Sequence, residues 1–283
     1  MSAYFTLRFK FNHAGVTLVE LLVVMTLGML LISFLLSIYL ASQRSYHIQT
    51  ALGQIQDNAK TAVAILQTDI RKAGYIGCAR LSKDFNAIYS SYSITPQTRL
   101  TGHTAEITVR YMGTPIVTVK KSKDSSTLVA SNESNFSSGD VLMISDCNHV
   151  EMFRVKAVSR SNASQTIMTA QPLQNHYDGN AEIGRVEINR YFIARTNRKN
   201  PDGSFIYALF LTDVKQHKIE LVENIRDMRV LYSILQGNKI TEVSSEKIED
   251  WSKVTGVAIE LDVTAPPVKV TWHLYVSLKE EAV

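Results

Sequence analysis

The sequence predicts an α+β protein. A long N-terminal α-helix, membrane-spanning in its first half, packs by its second half against an antiparallel β-sheet head. Three observations carry this expectation: an apolar run of 25 residues near the N-terminus, a helical stripe that continues from it, and a change beyond Tyr75 to short β-rich runs separated by turn residues. With 283 residues the chain is long enough to bury a sizeable core. At 45% hydrophobic and 20% charged residues it is not a disordered chain, and with 13 glycines and 6 prolines it is neither collagen-like nor low-complexity.

The first element is the apolar run Val16–Leu40, which holds one charge, Glu20. At about 1.5 Å per residue it spans roughly 37 Å, enough for a bilayer core of roughly 30 Å with some tilt. The preceding residues, 1–15, carry Arg8 and Lys10 and no acid, which predicts a cytoplasmic leader and an exported remainder. The run is too long for an ordinary cleaved signal peptide, and no small-x-small site follows it. A carboxylate in such a run costs about 2.5–3.5 kcal/mol at the bilayer centre and marks a functional position.

The second element continues without a break. Leu52, Ile55, Ala59, Ala62, Val63, Leu66, Ile70 and Ala73 form a one-sided stripe, and no proline precedes Pro96. One helix over roughly 58 residues, Val16 to Ala73 and on the order of 87 Å long, follows. Gly74 is its natural stop, with Arg71 and Lys72 in the last turn.

The third element is the head. Strand candidates are Glu106–Met112, Ile116–Val119, Val141–Ser145, Glu151–Val158, Thr166–Thr169, Val186–Arg195, Phe205–Leu211, Lys218–Leu221, Met228–Ile234, Val257–Val263 and Val268–Leu278. Turn signals fall at Ser138-Gly139-Asp140, Asp178-Gly179-Asn180, Pro201-Asp202-Gly203 and Gln236-Gly237-Asn238. The expected organisation is therefore 1–15 leader, 16–40 membrane or filament-core helix, 41–74 amphipathic half of the same helix, and 75–283 exported β-rich head.

The string Gly15-Val16-Thr17-Leu18-Val19-Glu20 resembles the processing motif of type IV prepilins and pseudopilins. That motif has a glycine before the cut, an apolar residue after it, Thr-Leu, and glutamate as the fifth residue of the mature chain. Gly15, Thr17, Leu18 and Glu20 match; Val16 replaces the commoner phenylalanine. The resemblance implies cleavage between Gly15 and Val16 by a membrane prepilin peptidase, N-methylation of the new terminus, and pairing of Glu20 with a Val16 amine in an assembled filament. Three further stretches resemble the PilW family of minor pilins: Arg44-Ser45-Tyr46 with Leu52–Asn58, Asp69–Cys78 with its Ala-Gly-Tyr-x-Gly-Cys element, and Asp146-Cys147 with Phe153 nearby. Leu221–Tyr232 resembles a segment of both PilW and the J-type pseudopilin of type II secretion. The cysteine elements favour PilW. The implied role is a minor pilin that primes type IV pilus assembly near the tip. Its partners would be prepilin peptidase, other minor pilins, the major pilin and the inner-membrane assembly platform. Its location would be the inner membrane, leader cytoplasmic and head periplasmic, and then the pilus. The alternatives are a J-type minor pseudopilin of a type II secretion system, or a pilin-stalk module that binds DNA or surfaces.

Cys78 and Cys147 are the only cysteines, 69 positions apart. In an exported chain the even count argues for a disulfide. Two free thiols, or a two-thiol metal pair with His149 as the one nearby further ligand, are the alternatives.

Seven scattered histidines form no His-x-x-x-His pair, and neither Gly-x-Gly-x-x-Gly nor a Walker loop occurs. Neither an enzyme nor a cofactor or metal is expected. The net charge of +4 is uneven: from Gly74 onward 24 basic residues face 23 acidic ones, so nucleic acid is not the default partner. Two small basic clusters, Lys120-Lys121-Ser-Lys123 and Arg195-Thr-Asn-Arg198-Lys199, read first as solvated loop tips and second as a DNA contact.

Overall fold

The computed structural model describes residues 17–278 apart from 79, 84, 201, 202, 237 and 238. The leader, Gly15 and Val16 lie outside the described residues, as do Pro201, Asp202, Gly237 and Asn238 of the expected turns. The chain divides into two units, Met1–Thr50 and Ala51–Val283.

In the first unit, helix α1 (Leu18–Arg71) begins. It is long and apolar enough to cross a membrane, and its large apolar side chains from Leu18 to Leu40 are exposed all round. The hydroxyls within this stretch are satisfied by the helix itself. Thr26 donates to the Val23 carbonyl at 2.9 Å, Ser33 to Met29 at 2.8 Å and Ser37 to Phe34 at 2.7 Å. Such back-bonding lets a polar side chain sit on a helix that apolar surroundings will cover.

In the second unit, the last turns of α1 bury Ala51, Ile55, Ala59, Ala62, Leu66 and Ile70. This is the expected stripe with one change: Ala51, four residues before Ile55, opens it, and Leu52 faces outward. The helix stops where Gly74 adopts φ +79°, a left-handed conformation that suits glycine.

Among the described residues fifteen strands follow, all paired antiparallel. They are β1 (Ala87–Tyr89), β2 (Tyr92–Ile94), β3 (Leu100–His103), β4 (Glu106–Asp124), β5 (Thr127–Ala130), β6 (Val141–Ser145), β7 (Val150–Arg160), β8 (Gln165–Thr169), β9 (Glu182–Lys199), β10 (Phe205–Thr212), β11 (Lys218–Glu223), β12 (Ile225–Gln236), β13 (Lys239–Val243), β14 (Val254–Ala265) and β15 (Val268–Ser277). One core joins the helical stripe to two sheets. The first runs β11-β10-β9-β4-β3, and the second, of four strands, runs β13-β12-β14-β15. Leu209, Tyr191 and Ile107 from the first and Val230, Ile259 and Leu261 from the second meet Ile55, Leu66 and Ile70 in this core. The two sheets also touch through the backbone, where the Val230 N–H donates to the Thr104 carbonyl at 3.0 Å.

The long strands β4 and β9 do double duty. Near the turn of sheet to barrel their pairing slips between Gly113 and Val117. Beyond the slip, β4-β5-β8-β7-β6-β9 pair in a ring that closes through β4 and β9. This six-stranded barrel has its own core, with Val117, Leu128, Leu142, Ile144, Phe153 and Ile167 inside and Phe136 and Tyr177 from its loops. A ring this small is filled by side chains. At Gly184, on β9, a Cβ would collide with the backbone carbonyl of Gly113 on β4, so glycine there lets the two strands approach at the slip.

Candidate processing and assembly segment

Thr17 and Glu20 open helix α1. The Thr17 hydroxyl accepts from the Glu20 N–H at 3.3 Å and the Thr17 carbonyl from the Leu21 N–H at 3.1 Å. A threonine in this place satisfies amides that the first helical turn leaves unpaired. The Glu20 carboxylate lies in that first turn, at the positive end of the helix dipole. It is exposed, on a helix whose neighbouring side chains are apolar. Gly15 and Val16, between which cleavage is expected, fall just outside the described residues, so no geometry relates them to Glu20.

At the other end of α1, the sequence places Cys78 and Cys147 on separate elements, and the fold brings them together. A disulfide joins the segment that follows the helix to the turn between β6 and β7, with Cα atoms 5.4 Å apart. Neither sulfur is free for a metal. His149, in the same turn, is engaged with Asp146: its N–H donates to Oδ1 at 2.5 Å, and its Nδ1 lies 3.4 Å from Oδ2. Among the described residues no group of three or more His, Cys, Asp and Glu side chains is arranged to hold a metal ion.

Two polar clusters escaped the sequence reading. The first fixes the C-terminal end of the helix. Asp69, with its side chain 13% exposed, accepts from Asn189 Nδ2 at 2.7 Å and from the Tyr191 hydroxyl at 2.6 Å, while Lys72 lies 3.6 Å from its other oxygen. Asn189 also donates to the Tyr111 hydroxyl at 3.2 Å. Burial, and next the negative charge of Asp69, push both tyrosine hydroxyls far above their ordinary range, so they stay protonated. The only hint in the sequence was an acid set between Leu66 and Ile70 of the apolar stripe. Its partners lie 120 and 122 residues away.

The second cluster ties the barrel to the turn between β10 and β11. Asp140, 5% exposed, meets Lys215 at 3.0 Å and Arg185 at 3.2 Å. Burial pushes its carboxyl upward. The hydrogen bonds from Lys215, the Ser137 N–H and Arg185 together outweigh that and hold it below the usual carboxylate range. Both clusters bear on holding the fold together rather than on chemistry at a substrate.

Residues 10–36 match the prokaryotic N-terminal methylation motif. The matched span takes in Lys10, the Gly15–Val16 junction, Glu20 and the apolar start of α1. No curated protein and no solved structure matches the chain. A motif of this prepilin type, on a helix of membrane-crossing length, supports a type IV pilin-like or pseudopilin-like role. It implies processing by prepilin peptidase and assembly with other pilins.

Proposed function

We propose that the chain is a minor pilin that takes part in type IV pilus assembly, of the kind the PilW resemblance implies. The methylation motif over residues 10–36, set at the start of a membrane-length helix, is the observation that carries this reading. In it the chain is inserted in the inner membrane with its leader inside and its head outside. Residues 1–15 are removed between Gly15 and Val16, and the helix from residue 16 moves from lipid into a bundle of like helices.

The chemistry of that transfer centres on Glu20. In a bundle that excludes water, an unpaired carboxylate costs several kcal/mol, and a cation beside it removes most of that cost. Cleavage creates such a cation, the α-amine of Val16, four positions away on the same chain and equally available on a neighbouring one. The pair then sets the register at which a subunit enters the filament. Processing thus supplies the charge that makes burial of Glu20 tolerable.

The barrel argues for few copies. It adds a closed, separately packed body to the helix–sheet core, and a shaft would repeat that bulk at every subunit. A place near the tip carries it once. A strain lacking the gene is expected to lose twitching while keeping secretion of folded enzymes. Intact twitching with lost secretion would instead identify a J-type pseudopilin.

A further inference from the structure

The basic cluster Arg195–Lys199 noted in the sequence is split by the fold. Arg198 turns to β11, where Glu220 and, at 3.2 Å, Glu223 neutralise it. Arg195 and Lys199 have no acidic partner among the described residues. Both lie over the ring of Phe205 instead, at 4.1 and 4.8 Å from its centroid. Arg226, distant in sequence, lies over Tyr207 at 4.4 Å and likewise has no acidic partner among the described residues.

Phe205, Tyr207 and Arg226 line a cleft of about 270 Å³ at the end of the head, where the start of β10, the start of β12 and the β14–β15 turn converge. Asn200, Asn224 and Thr264 add neutral hydrogen-bonding groups, and Lys269 adds a second lining cation, shared with Asp262 at 2.7 Å, while Arg195 and Lys199 stand beside the cleft over Phe205. A head with nearly balanced charge thus holds a local excess of cations, on aromatic supports, beside an opening.

We propose that this cleft binds single-stranded nucleic acid. Its volume lies below the usual range for whole small molecules, about 300–1,000 Å³, and admits one nucleotide-sized unit of a chain that continues along the surface. The guanidinium carbons of Arg195 and Arg226 lie 4.1 and 4.4 Å from the ring centroids of Phe205 and Tyr207, contacts that hold both groups in place before a ligand arrives. Their edges form forks for phosphate oxygens, and their outer faces are flat surfaces for a base. The two asparagines supply donors and acceptors for base edges. A double helix, with its bases already stacked inside, offers the cleft only phosphates. Single strands are therefore preferred. This inference is independent of the pilin reading.

The test is fluorescence anisotropy with the full chain in detergent micelles and a labelled oligothymidylate, over a series of salt concentrations. Duplex DNA of the same length and poly-glutamate serve as competitors. Arg195→Gln/Arg226→Gln is expected to weaken binding about tenfold or more and to reduce the salt slope by about 1.4, the share of two phosphate contacts on a single strand. Lys120→Gln/Lys121→Gln/Lys123→Gln, on the barrel, is expected to bind as the parent does. If the double variant melts below the assay temperature, Lys199→Gln alone replaces it, with an expected loss of a few-fold. Absence of binding by the parent, equal competition by poly-glutamate, or unchanged affinity in the cleft variant would overturn the proposal.

Discussion

At the scale of single residues, two carboxylates decide how firmly the head is held. Asp69 receives two hydrogen bonds from buried partners on β9. Removing it strands both donors, so Asp69→Ala is expected to cost about 3 kcal/mol in denaturant unfolding, while Tyr191→Phe, which removes one donor, costs about half that. Equal small losses in the two variants would contradict this account of the helix anchor. Asp140 gives a pH signature. Its folded pKa lies below the unfolded one, so the unfolded chain takes up the proton first. Its contribution is fully present above about pH 4 and drains away as pH falls through the lower folded value. Asp140→Asn should cost about 1–2 kcal/mol at neutral pH, discounted because Lys215 is mostly exposed. The same variant should show a flatter loss of stability in acid. Thermal melts from pH 7 to pH 3 check both. Glu187 runs the other way: burial, foremost, raises its carboxyl above the usual range, so its proton is taken up in the folded head before the unfolded chain.

At the scale of elements, the disulfide and the strand pairing matter most. Cys78–Cys147 closes a loop with 69 positions between its ends, and loop-closure reasoning assigns it about 4 kcal/mol. Replacing both cysteines by serine should lower the denaturation midpoint accordingly, and reducing agent should lower that of the parent but not of the variant. What the sequence made legible here depends on how local the signal is. The stripe Ile55–Ile70 repeats over several turns and reads directly as a buried helix face. Val141–Ser145, four apolar residues closed by a serine, is β6 to the residue. By contrast, Glu106–Met112 and Ile116–Val119 read as two strands because Gly113 and Pro115 interrupt the pattern. In the fold β4 runs through both, since pairing with β9 resumes past the slip at Val117. The short strands β1, β2, β3, β5 and β13, of three to five residues, carry too little alternation to stand out. Closure of the barrel was not legible at all. It depends on Val117 and Thr118 finding Ile183 and Glu182, and no local pattern records a partner that far along the chain. The same holds for the Asp69 cluster, whose members are ordinary residues until the sheet brings them to the helix.

At the scale of the whole molecule, a membrane-length apolar helix, a prepilin-type motif and a large β head with its own barrel describe a subunit built for assembly. In the proposed function Glu20 links these levels: one residue, at the first turn of one element, governs entry into a filament. Glu20→Ala is expected to leave the chain processed and membrane-bound but to reduce its recovery in sheared filaments about tenfold, as befits the loss of a buried pair worth several kcal/mol. Normal recovery would remove Glu20 from the assembly step. Cleavage between Gly15 and Val16 is read from the intact mass of the protein recovered from filaments. The expected result is a chain that begins at Val16, with or without one added methyl group. A filament-borne chain that still begins at Met1 would contradict it.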